Sequence, residues 1–129
     1  MLADLVKDYL EYESEFLSLD LKFGDNLFVN FYPDSPDSIL SVLDNGGFPP
    51  RLYVPVREKI IEFKFRTNTL QQGYEIGEEL IQLFHDKENY HLNGKRILHS
   101  YARTDSTYLY KDKNERHEFS FEVVFLIEK

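Results

Sequence analysis

Apolar residues open the chain at three- and four-residue steps. Leu2, Leu5, Val6, Tyr9, Leu10, Phe16 and Leu17 fall on one stripe, with Asp4, Lys7, Asp8, Glu11 and Glu15 on the other side. That period predicts an amphipathic helix running to about Phe16. Leu27–Tyr32 is short, aromatic and β-rich, and it stops at Pro33-Asp34-Ser35-Pro36-Asp37, whose prolines cannot continue a ladder. Ser38–Leu43 predicts a second strand, closed by the turn-forming Asp44-Asn45-Gly46-Gly47, after which Phe48-Pro49-Pro50 forbids regular structure. From Glu58 to Arg66 the pattern alternates, with Ile61, Phe63 and Phe65 on one face and Glu62, Lys64 and Arg66 on the other. Such alternation is a strand with one wet face.

A second helix follows, with Thr67, Asn68 or Thr69 as its cap and Leu70, Tyr74, Gly77, Leu80, Ile81 and Phe84 as its apolar stripe. Gly73 and Gly77 suggest close packing against a sheet. Asn93-Gly94 predicts a turn, Lys95–Arg103 a strand, and Thr104–Tyr110 an irregular connection or strand. Lys111–Arg116 reads as a solvated hairpin tip before the longest strand, His117–Glu128. The order α-β-β-β-α-β-β predicts an α+β fold, a mostly antiparallel sheet covered by two helices. At 129 residues a single domain spanning 1–129 is expected.

Composition narrows the chemistry. Cysteine is absent, which removes disulfides, thiolate metal sites and cysteine nucleophiles. The longest apolar run, Val123–Ile127, is far short of a membrane span, and Met1–Leu10 lacks the pattern of a secretory signal, so a cytosolic compartment is expected. The formal charge of −8 lies entirely in residues 1–50, which hold ten acids and two bases. Residues 51–129 hold 13 of each. Neither part offers the basic surplus that grips phosphates, so tight DNA binding is disfavoured.

Pro33-Asp34 with Glu62-Phe63-Lys64 has the residue types with which restriction-type nucleases hold Mg²⁺. An alternating charged strand supplies the same residues without any chemistry. His85, His91, His99 and His117 form no His-x-x-x-His or Glu-x-x-His pair on one predicted element, and no phosphate-binding or nucleophile motif appears. No catalytic residue, cofactor or metal is expected.

From Leu27 onward the chain resembles the bacteriophage tail terminator (tail completion) family, whose members are often labelled minor capsid proteins. The resemblance rests on Phe28–Asp37 with the following strand and Asp44-Asn45-Gly46-Gly47, on the Ile61–Arg66 strand leading into a helix, and on the charged turn Asp112–Arg116 before Phe119-Ser120-Phe121-Glu122-Val123. It implies a structural protein of the virion tail, assembled in the bacterial host cytoplasm. Such a protein forms a ring, usually a hexamer, that caps the tail tube, stops its growth and joins the head. The implied partners are further copies of the chain, the tail tube protein and the head-to-tail connector, with DNA passing without tight binding. Pro33, Asp34, Ser35, Pro36, Asp37 and Arg66 are the expected contact positions. Because every copy carries −8, self-repulsion predicts that assembly strengthens with salt. A small acidic inhibitor, of the immunity or nucleic-acid-mimic kind, is the alternative of a different class.

Overall fold

A computed structural model describes residues 1–13, 20–49 and 55–128. Helix α1 (Leu2–Asp8) continues into a wider π turn over Tyr9–Glu13. Glu15, Phe16 and Leu17, placed by the periodicity on the same helix, lie outside the described residues, as does Pro50. Strands β1 (Leu27–Val29), β2 (Ile39–Gly47) and β3 (Val56–Thr67) precede helix α2 (Leu70–Phe84). After it come β4 (Lys87–Leu92), β5 (Lys95–Ala102), β6 (Thr107–Lys111) and β7 (His117–Glu128).

The seven strands form one sheet in the order β1-β2-β3-β7-β5-β4, with β6 also on β7. Strand β7 is its spine. β3 pairs along its whole length, from Val56 opposite Glu128 to Thr67 opposite His117. The other edge of β7 is shared, β6 taking residues 117–120 and β5 residues 123–127. All pairs are antiparallel except β1 with β2. That pair is parallel because residues 30–38 carry the chain back across the sheet to begin β2 beside the start of β1.

Strand alternation sorts the residues onto two unlike faces. Leu40, Val42, Ile61, Phe63, Phe65, Phe119, Phe121 and Phe125 face both helices and are fully buried. Their rings are layered: Phe65 stacks on Phe119 at 5.3 Å and Phe63 on the α2 residue Phe84 at 5.2 Å. Both helices pack on this face. The opposite face carries Arg66, Lys64, Glu62, Glu118 and Ser120, and among the described residues no helix covers it. The α+β class and mostly antiparallel sheet are therefore as expected, whereas the expected element order lacks β4 and leaves β6 undecided. β4, Lys-Glu-Asn-Tyr-His-Leu, is an edge strand with little burial and shows weak alternation. It is joined to β5 through the anticipated Asn93-Gly94 turn.

Helix α2 is rotated from the expected stripe. Its buried residues are Gly73, Ile76, Gly77, Leu80 and Phe84, while Leu70 and Tyr74 are exposed. The glycines explain the rotation. A Cβ on Gly73 would lie 2.0 Å from the Phe119 ring, so the bare backbone is what lets α2 settle there. Thr69 is the cap, its hydroxyl accepting the Gln72 N–H at 3.2 Å. His85 closes the helix and accepts the Ala102 N–H on Nδ1 at 3.0 Å.

Candidate functional site

Among the described residues, a heavily cross-linked polar cluster lies on the helix-free face, where the 30–38 loop meets the β6–β7 hairpin. Arg66, the penultimate residue of β3, is 2 % exposed. Its guanidinium donates to three carbonyls of the loop: Nη1 to Pro33 at 2.9 Å, Nη2 to Pro36 at 2.5 Å and Nε to Asp37 at 3.2 Å. A loop with two prolines cannot satisfy its carbonyls through a ladder, and the five-donor fork of an arginine supplies the missing donors. The Ser35–Pro36 peptide within it is cis.

A second arginine grips the loop from the other side. Arg116 Nη1 donates to the Asp34 carbonyl at 2.5 Å, Nη2 meets the Asp34 carboxylate at 2.8 Å, and Nη1 lies 3.4 Å from that of Asp37. Its Nε reaches the Asp112 carboxylate at 2.9 Å. Asp112 in turn builds the hairpin turn, its Oδ1 accepting the N–H groups of Asn114 and Arg116 at 2.9 Å each. The side chain of Arg116 is only 5 % exposed, so the expectation of a solvated hairpin tip fails for this residue. Asp34 and Asp37 remain outward, their side chains 78 % and 65 % exposed.

Tyr32 completes the clamp. Its hydroxyl donates to Glu118, which stands directly opposite Arg66 on β7, and its ring lies beneath Lys64 at 4.6 Å and Arg66 at 5.3 Å. Ser41 Oγ fastens the preceding carbonyl, that of Phe31, at 2.6 Å.

The electrostatics follow from this packing. Hydrogen bonding to Arg116, then its charge, holds the Asp34 carboxyl below the usual range. At Asp112 burial works upward but is outweighed by the Arg116 N–H, the Glu118 carboxyl, the Asn114 N–H and the Arg116 side chain, and the group falls to about 2. Glu118 moves the other way: burial raises it, and the hydrogen bond from Tyr32 offsets only part of this. Burial, then Glu118, also raises the Tyr32 phenol. Glu118 and Asp112 act on each other in opposite senses, Asp112 lowered and Glu118 raised.

The expected contact residues thus divide. Pro33–Asp37 and Arg66 form one unit, with Asp34 and Asp37 on its outside and Arg66 buried within it. Tyr32, Asp112, Arg116 and Glu118 belong to the same unit, and nothing in the sequence signals that they join the loop, because residues about 80 positions apart meet only through the sheet. The residues of the nuclease pattern are each engaged elsewhere. Asp34 is held by Arg116, Glu62 accepts from Ser120 at 2.6 Å and Asn45 at 3.1 Å, and Lys64 lies over Tyr32.

Among the described residues, Asp86, Glu88 and His99 bring possible metal-ligand atoms within 4.8 Å of one another. Cross-strand pairing of Glu88 with His99 creates the group, which no spacing along the chain reveals. His99 Nε2 lies 3.0 Å from Asp86 Oδ1, so a hydrogen bond already accounts for the pair.

The fold is an α+β domain with both helices on one face of its sheet and two buried arginines fastening a surface loop on the other. The sequence matches the family model for bacteriophage tail terminator proteins over residues 13–129, and the chain belongs to that family. Comparison with the curated proteins gives no match. A solved structure that bears no functional description is similar at TM-score 0.58 and 9 % identity, over 98 % of this chain and 95 % of that one, a likeness of fold alone.

Proposed function

We propose that this structural phage tail protein assembles as a ring, a homo-hexamer, that caps the tail tube, ends its elongation and provides the head-joining surface. The family match over residues 13–129 is the observation that carries the reading. Its partners are further copies of the chain, the tail tube protein and the head-to-tail connector. It does its work in the virion tail, without catalysing a reaction. The Pro33–Asp37 loop is the proposed neighbour contact. Two buried arginines fix its backbone, so its outward carboxylates are presented without loss of loop freedom on binding. Arg66 acts from inside that contact as a positioning residue.

Electron microscopy of tails assembled with and without the protein tests this directly. Tails lacking it should be irregular in length and unjoined to heads. Tails of normal length that still join heads would refute the role.

A further inference from the structure

Beside the clamp, the helix-free face opens into a cavity of about 480 Å³ whose rim carries Lys64, Lys111 and Lys113 between the rings of Tyr32 and Tyr110. Its lining holds five cationic residues and three acidic ones. This is a positive spot on a chain of charge −8. The ion pairs among the described residues engage Arg116 but none of those three lysines. Lys111 and Lys113 are exposed, and Lys64 is held over Tyr32.

The chain itself carries a complement on its other side. On the outer face of α2, Leu70 and Tyr74, 42 % and 49 % exposed, lie beside Glu75, Glu78 and Glu79. α2 packs on the face of Phe65 and Phe119, whereas Lys64 and Glu118 alternate with these residues and point the opposite way. The basic and acidic surfaces are therefore separate and lie on different sides of the sheet, so both are open at once to a head-to-tail contact between copies.

We infer that the basic cavity rimmed by Lys64, Lys111 and Lys113 receives the acidic α2 face of a second copy, with Tyr110 and Tyr74 as the apolar parts of the contact. The inference rests on the ring reading above and names the two surfaces that meet. Charged pairs set the register, and the exposed Leu70 and Tyr74 are removed from water. Attraction between sorted charges opposes the net repulsion, so rising salt loosens this contact, the reverse of what net charge alone implies.

Sedimentation velocity on the full chain tests the pairing. Lys111→Glu with Lys113→Glu, and separately Glu75→Lys with Glu78→Lys, should each weaken self-association about tenfold or more. Combining all four changes should restore it, and circular dichroism confirms that each variant is folded. Wild-type assembly should weaken between roughly 0.05 and 0.5 M NaCl. If either reversed pair assembles like the wild type, the surfaces are wrong while the ring reading stands. A wild type that stays monomeric alone and with the tail tube protein overturns both. Should the wild type retain duplex DNA at roughly 0.15 M NaCl and the lysine reversal abolish it, the cavity is a phosphate site and the pairing fails.

Discussion

Arg66 and Arg116 hold one loop but differ in what their loss leaves behind. Truncating Arg66 removes the donor from the carbonyls of Pro33, Pro36 and Asp37 and empties the buried space that its side chain fills. Arg66→Ala should therefore cost about 3 kcal/mol or more, and Arg66→Lys should recover little, since an ammonium cannot span three carbonyls in one plane. Thermal unfolding reads the loss at about 3–5 °C per kcal/mol for a domain of this size. Replacing Asp34 and Asp37 by Ala should lower the melting temperature much less, because Arg116 keeps Asp112 and the Asp34 carbonyl. If the Asp variant unfolds outright, the loop is a determinant of folding and not a prepared contact. The carboxyls themselves carry opposite pH signs. Asp112 is depressed to about 2, so its contribution is present above the unfolded value of about 4 and is lost as pH falls toward 2. Asp112→Asn should accordingly destabilise at about pH 7 and far less near pH 2, measured by denaturant unfolding. Glu118 is raised, so the native state holds its proton more tightly and stability falls as pH rises from the unfolded value of about 4.5 through the higher native one. Glu118→Gln should gain on the wild type as pH increases above about 4.5; a gain that shrinks with pH would contradict the burial of that charge.

At the scale of elements, the seat of α2 depends on two glycines with unequal neighbours. A Cβ at Gly73 meets the Phe119 ring at 2.0 Å, and that ring is already packed against Phe65, Tyr74 and Tyr108. Overpacking there should cost about 1–3 kcal/mol beyond the roughly 1 kcal/mol that Ala gains in helix propensity. At Gly77 the Ser106 hydroxyl lies at 2.2 Å and its Cβ at 2.7 Å, so the β5–β6 connection must shift, which an irregular connection does at less cost than a ring packed on three sides. Gly73→Ala should thus lower the melting temperature clearly more than Gly77→Ala. Thr69→Ala, which removes the cap, should cost about 1 kcal/mol. The glycines were legible in the sequence as a sign of close packing. The face was not: Leu70 and Tyr74 fit an apolar period equally well, and only the place where the helix touches Phe119 selects Gly73 and Ile76 for burial.

For the whole molecule, the segregation of charge governs how copies and DNA meet. The acidic surplus of residues 1–50 and the balance of residues 51–129 predict that duplex DNA is not retained at physiological salt, which a filter or gel retention assay measures. The basic cavity is a local exception that net charge conceals. Tyr32 comes from the loop, Lys64 from β3, and Lys111 and Lys113 from the β6–β7 end. Its existence depends on β6 and β7 folding back beside the loop that β2 and β3 support.

The sequence by itself determined the aromatic faces of β3 and β7, the two helices, the Asn93-Gly94 turn, the rigid Pro33–Asp37 loop and the family to which the chain belongs. All of these rest on local periods, turn residues or an order of elements along one dimension. Tertiary structure alone decided that both helices share one face, that β1 and β2 run parallel, that α2 buries its glycines, and that Arg66 and Arg116 converge on one loop. Those outcomes depend on register between strands dozens of residues apart. A period of two states which residues share a face; it carries no information about which strand lies alongside or what crosses above.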